Sequence, residues 1–278
     1  MFNDRHSRIL SERLGIAEHQ VRNTLGLLEE GATIPFISRY RKEATGSLDE
    51  VQIDAIRTLY GKLQEIDKRR AAILKSLTSA LFVALACCGA FCASGGGAAP
   101  ILGPFIVAGL VFGLMGDIWL DLKYVYPADD AALTYAGFAT FGAGHILYQL
   151  GLILQFYVHG RVGYVLIPLL LAMALSAGNV LMEKPMKLRY GQMKPVVLAY
   201  GFLLFLTVLL SGSLALLQRW AEPALNLFFI GAVLFALSDL VLSGTYFGVG
   251  KDRPVDIVLN YLSYFPAQYL IALSLSLL

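Results

Sequence analysis

The chain has 278 residues, of which 57% are hydrophobic and 15% charged, and a formal net charge of +2. Soluble globular proteins carry about a quarter charged residues, so this composition excludes an ordinary soluble domain over the whole length. So small a net charge also makes no electrostatic case for nucleic acid. The charge is gathered at one end: residues 1–75 hold 13 of the 22 basic and 11 of the 20 acidic residues. A charged head, 1–75, and an apolar body, 76–278, are therefore expected.

The opening MFNDRHSRIL has no apolar h-region, so no cleaved signal peptide is expected. The head reads as a small soluble helical segment. SERLGIAEHQVRNTLGLLEEG (11–31) places apolar residues at helical spacing and ends at Gly31. RYRK (39–42) reads as a solvated basic face rather than a phosphate contact. In SLDE, Ser47 and Glu50 stand in capping-box register. They open a long helix with Ile53, Ile56, Tyr60, Leu63 and Ile66 on one face, able to run unbroken from about 50 to 93.

A spanning helix needs about 20 mostly apolar residues. Seven stretches qualify: 74–93, 100–120, 132–155, 162–182, 195–217, 223–243 and 257–278. None alternates as a barrel strand would, so an all-α, polytopic transmembrane bundle of about seven spans is predicted. Cys87, Cys88 and Cys92 share one apolar run without metal spacing or a disulfide framework. SGGGAAP (94–100) has no lysine and reads as a flexible hairpin, not a phosphate loop. Counting spans from the head, one side receives Lys68, Arg69, Arg70, Lys75 and Lys123. It also receives Lys184, Lys187, Arg189, Lys194, Lys251 and Arg253, while the other receives Arg161 and Arg219. The positive-inside rule then puts the head in the cytoplasm and the C-terminus outside.

Ionisable side chains inside spans are costly and mark candidate sites. VFGLMGDIWLDLK (111–123) buries Asp117 in an apolar run, with Asp121 four residues on and on the same helical face. His145 is followed by Tyr148 and Gln149 at the same kind of spacing. Ser176, Asn179 and Glu183 form a stripe at the end of the fourth span, Asp239 follows Ser238 in the sixth, and Asn260, Tyr264 and Gln268 line one face of the seventh. Asp117, Glu183 and Asp239 fall near the cytoplasmic ends of their helices, His145 and Gln268 near the middle. These five could line one cavity, although Asp121 and Glu183 also read as ordinary interfacial charges, the preferred reading for Glu183.

GLVFGLMGDIWLDL (109–122), FGAGHILYQLGLI (141–153), GAVLFALSDLVLS (231–243) and YFPAQYLIA (264–272), in that order and spacing, resemble the YhhN-like lysoplasmalogenase family. The resemblance covers about residues 75–278. It implies a multi-pass hydrolase of the bacterial inner membrane, acting on lysoplasmalogens to release a fatty aldehyde and a glycerophospho-base. It matches Asp117 to the family's GD aspartate, His145 to its GH histidine, Asp239 to its SD aspartate and Gln268 to the glutamine of its last helix, and Asp117, Asp239 and His145 are the catalytic candidates. Asp121, Tyr148, Asn179 and Tyr264 join Gln268 as expected substrate contacts; no cofactor or metal is expected. The implied partners are the lysophospholipid substrate and membrane lipids, with the oligomeric state left open. The family usually has eight spans; the head stands where the first would be. EEGATIPFISRYRKEATGSLDEVQ (29–52) and EIDKRRAAILKSL (65–77) resemble the N-terminal helices of the bacterial transcription accessory protein Tex. Because that likeness stops before Tex's RNA-binding parts, it implies no nucleic-acid binding here.

The chemistry suits these residues. Acid cleaves a vinyl ether by protonating carbon, which leaves an oxocarbenium ion for water to capture. Paired carboxylates divide the labour around a similar cation in glycosidases, and Asp117 with Asp239 is the expected pair, either one being the acid. Two other readings stay open: a small transporter using the two aspartates as proton or cation sites, and an inactive fusion that tethers a Tex-like head to the membrane.

Overall fold

The computed structural model describes residues 4–92, 99–248 and 254–278. The flexible-hairpin reading of 94–98 and the basic pair Lys251 and Arg253 lie outside the described residues. Two compact units are present, Met1–Ile73 and Leu74–Leu278.

The first unit holds α1 (Asp4–Leu14), α2 (Glu18–Glu29), α3 (Ile34–Tyr40), α4 (Lys42–Thr45) and the start of α5 (Glu50–Cys92). The helical pattern of 11–31 is broken in two, because Gly15 takes a φ of +65°, which glycine adopts without steric cost. The Ala17 N–H then donates to Gln20 Oε1 at 3.2 Å, restarting the chain as α2. Gly31, with φ +85°, follows α2 as expected. The capping box at the start of α5 lies two residues beyond the predicted one. The Gln52 N–H donates to Asp49 Oδ1 (2.7 Å) and the Asp49 N–H to Gln52 Oε1 (3.1 Å), while Ser47 sits at φ +64°. Leu10, Val21, Leu25, Ile37, Ile53 and Ile56 form a closed apolar core with Leu63 at its margin. The apolar face of α5 ends there, and Ile66 is half exposed.

The second unit continues α5 from Leu74 and adds α6 (Ala99–Val125), α7 (Asp130–Val158), α8 (Leu166–Leu181), α9 (Lys194–Leu217), α10 (Pro223–Phe247) and α11 (Pro254–Ser274). Apart from one isolated bridge between Leu188 and Gly248, the described structure is helices and their connections. Six helices among the described residues, α5 to α10, are long and apolar enough to cross a membrane. The seventh predicted stretch is α11, where Asn260, Ser263, Tyr264, Pro266 and Gln268 dilute the apolar content below that standard.

α6 packs chiefly on α7, α8 on α9 and α10 on α11, with α9 also against α7 and α10. Lipid supplies no hydrophobic drive between helices, so close backbone approach at small residues matters more than in water. Gly109 and Gly116 of α6 face Tyr148 and Phe141 of α7; Gly137, Gly144 and Gly151 of α7 answer, seven residues apart. A Cβ on Gly144 would stand 2.9 Å from the Gly109 carbonyl oxygen, and one on Gly231 of α10 would stand 2.9 Å from that of Ala267. These two seams bring α6 against α7 and α10 against α11, and so set where Asp117 and Asp239 lie.

Candidate functional site

α6 presents Asp117 and Asp121 one turn apart, and both are buried. Both meet Lys75, from the segment of α5 that belongs to the same unit. Lys75 Nζ lies 3.1 Å from Asp117 Oδ1 and 3.1 Å from Asp121 Oδ1. Its side chain is 16% exposed, against 2% for Asp117. Asp117 Oδ2 accepts two further hydrogen bonds, from Ser79 Oγ and Tyr264 Oη. Gln268 Nε2 in turn donates to Tyr264 Oη at 3.0 Å. One carboxylate thus receives an ammonium and two hydroxyls from α5 and α11, and charge-assisted bonds of this kind are the strong ones.

Asp239 sits differently. Tyr200 Oη of α9 donates to its Oδ2 at 2.5 Å, and among the described residues no cation lies within ion-pair distance of it. Beside it, Asn260 Nδ2 donates to the Ser238 carbonyl (3.0 Å) and Oγ (3.1 Å), tying α11 to α10. Asp117 and Asp239 line a common cavity of about 880 Å³, its open mouth included. Lys75, Asn179, Tyr200, Ser238, Asn260 and Tyr264 are among its polar lining residues; Phe138, Phe141, Leu204 and Phe247 are among its apolar ones. A few convergent polar groups in a mostly apolar cavity are the usual form of a ligand site. Tyr246, also on the wall, is covered by Lys123 Nζ, 3.4 Å above its ring.

Of the residues singled out in the sequence, the structure brings Asp117, Asp239, Asn179, Ser238, Asn260 and Tyr264 to the cavity wall. Asp121 and Gln268 lie behind it, joined through Lys75 and Tyr264. His145 and Tyr148 are not on the wall. The His145 ring packs edge-on against Tyr148, Tyr200 and Phe235, its Nδ1 lies 3.1 Å from Thr207 Oγ1, and its buried Nε2 has no hydrogen-bond partner among the described residues. Glu183 is likewise away from the cavity, outside the spanning segments. It accepts from Lys194 Nζ at 2.6 Å and from the Tyr190 N–H at 3.0 Å. The Lys194 hydrogen bond, then that of Tyr190, holds its carboxyl below the usual range. The expectation of five residues on one cavity is therefore corrected to two, Asp117 and Asp239.

Three residues escaped the sequence reading. Lys75 looks like an ordinary basic flank of a span, and Ser79 and Tyr200 look like incidental polar residues of apolar helices. Their spacing on α5 carries a signal in retrospect: Lys75 and Ser79 are four apart, matching the Asp117 and Asp121 interval that they face. Among the described residues no group of three or more His, Cys, Asp or Glu side chains is placed to hold a metal ion.

Comparison with known proteins divides the chain at the same region. Residues 4–78 match the Tex-like protein N-terminal domain. Protein YhgF of Escherichia coli K12 is 45% identical over 78 residues, 28% of this chain and 10% of its own length. The transcriptional accessory protein Tex of Neisseria gonorrhoeae is 45% identical over 71 residues, 26% of this chain and 9% of its own. The chain thus spans about a tenth of the length of these relatives. No solved structure gives a significant match. Residues 71–275, which hold Lys75, both cavity aspartates and every helix of the bundle from α6 on, match the YhhN family, and the chain belongs to that lysoplasmalogenase-like family of membrane proteins.

Proposed function

We propose that the bundle is a lysoplasmalogenase that hydrolyses the vinyl-ether bond of a lysophospholipid drawn from the surrounding membrane. The observation that carries the reading is the pair of carboxyl groups, Asp117 and Asp239, brought by different helices to one largely apolar cavity. One carboxyl delivers a proton to the vinyl carbon. The second, as carboxylate, faces the oxocarbenium ion and orients the water that adds to it. The hemiacetal then collapses to a fatty aldehyde and the glycerophospho-base, so that one water is consumed and the proton is returned. Asn179 and Asn260 supply polar contacts for the head group, and the phenylalanines receive the chain. His145 has no place in these steps, because it packs behind the wall.

The basic residues set the orientation in this reading, with the head on the cytoplasmic side of a bacterial inner membrane. The head is taken as an appendage without a nucleic-acid role. Within RYRK, Arg39 lies 3.7 Å from Glu50 and Arg41 lies over the Phe36 ring.

The test is aldehyde release from lysoplasmenylethanolamine by the purified protein, beside Asp117→Asn and Asp239→Asn. General acid–base groups contribute about 100- to 10,000-fold, so each variant is expected to lose at least about 100-fold. A folded wild type that releases no aldehyde withdraws the assignment. Proton-gradient-dependent solute flux without lipid turnover would put a transporter in its place.

A further inference from the structure

We propose that Lys75 is a positioning residue of this site: by pairing with Asp117 and Asp121 it fixes Asp117 as the carboxylate and leaves proton delivery to Asp239. The inference rests on the two-acid reading above and divides its labour.

The geometry is asymmetric. Around Asp117 stand Lys75 and Ser79 from α5 and Tyr264 from α11, all three directed at its two oxygens. A buried carboxylate survives only when its charge and its lone pairs are answered in this way. Asp239 accepts from one hydroxyl, Tyr200, in a mostly apolar wall, and among the described residues no cation lies within ion-pair distance of it, Lys75 being engaged by the α6 carboxylates. An unanswered charge is expensive there, so the neutral acid is the cheaper form. Lys75 also answers two carboxylates at once. Without it, Asp117 and Asp121 would lie one turn apart with no cation among the described residues paired to either. Lys75 lines the same cavity, and its ammonium is held at 3.1 Å by a carboxylate oxygen of each α6 aspartate, so we assign it to Asp117 rather than to the substrate. It also lies 5.8 Å from the centroid of the Tyr264 ring, whose hydroxyl donates to Asp117.

This position lies in the stretch, residues 71–78, where the two family matches overlap. The helix that follows the head therefore carries a residue that the site needs, and is more than a tether.

The experiment compares Lys75→Met with the double variant Lys75→Met/Asp121→Asn, both checked for monodispersity in detergent. For the single variant kcat is expected to fall about 100-fold, with KM within about threefold of wild type. Removing the surplus charge at Asp121 is expected to return about tenfold of that loss, since coupled charges are non-additive. A lysine that merely fills space would not be rescued by Asp121→Asn, and one that binds the phosphate would raise KM instead. Either result overturns the proposal.

A second readout is independent of turnover. In difference infrared spectra, Asp239→Asn should remove a protonated-carboxyl C=O band, and Asp117→Asn a carboxylate band. In the Lys75→Met background, Asp117→Asn should instead remove a protonated band. If Asp117→Asn removes the protonated band in otherwise wild-type protein, the assignment is overturned. If the bands behave as stated but no aldehyde is released, the pairing stands and the hydrolase reading fails.

Discussion

The head and the bundle solve the same problem in different solvents. In the head, leucine and isoleucine side chains leave water for a closed core, and the charged residues stay outside in local pairs such as Arg22–Glu18 and Arg69–Glu65. Such exposed pairs contribute little; the apolar core does most of the holding. In the bundle the outside is apolar, with Leu166, Ile167 and Leu262 well exposed. What holds it together is close backbone approach at glycines, plus buried polar bonds such as Gln149 to the Leu203 carbonyl (2.7 Å) and Ser176 to that of Leu198 (2.6 Å). The comparison teaches that a buried charge is an exception in the head and an organising element in the bundle. There Lys75, Asp117 and Asp121 are all largely buried and paired.

Substitutions that invert the two logics break the comparison. The largest effect on stability is expected from Ile37→Ala, which empties a fully buried position in the head. It should cost about 2–5 kcal/mol of local stability, seen by hydrogen exchange confined to residues of the head, with aldehyde release unchanged. Gly144→Ala adds a methyl group against backbone rather than removing one. Overpacking of this sort costs about 1–3 kcal/mol, read as a lower melting temperature in detergent. Gly178→Ala sharpens the point, since its Cβ would meet nothing within 4 Å. There the helix should gain about 0.5–1 kcal/mol, and a loss would show that glycine in this bundle is not a matter of space. The smallest effect belongs to the surface of the bundle. The partners of Glu183 lower its folded-state value, so their stabilisation is present above the unfolded carboxylate value and is lost as pH falls through the folded one. Glu183→Gln should therefore leave stability slightly lower near neutral pH and flatten its decline toward acid.

Periodicity and composition were enough for the helical nature of the described segments and the presence of aspartates in apolar spans. These are local or one-dimensional properties: how much apolar residue a stretch holds and on which helical face it falls. The break at Gly15 and the shift of the cap to Asp49 were harder, because glycine is tolerated within helices and several polar residues compete for a cap. The cavity pair, Asp117 and Asp239, was legible because charge is rare in such spans. The place of His145 was not, since periodicity leaves open whether a polar side chain on an inward face reaches a cavity or packs behind its wall. Lys75 is the clearest case. By sequence it is one more cation flanking a span; only the packing of α5 beside α6 decides that its ammonium meets Asp117 and Asp121, because an ion pair across helices depends on rotation and depth, which no single segment encodes.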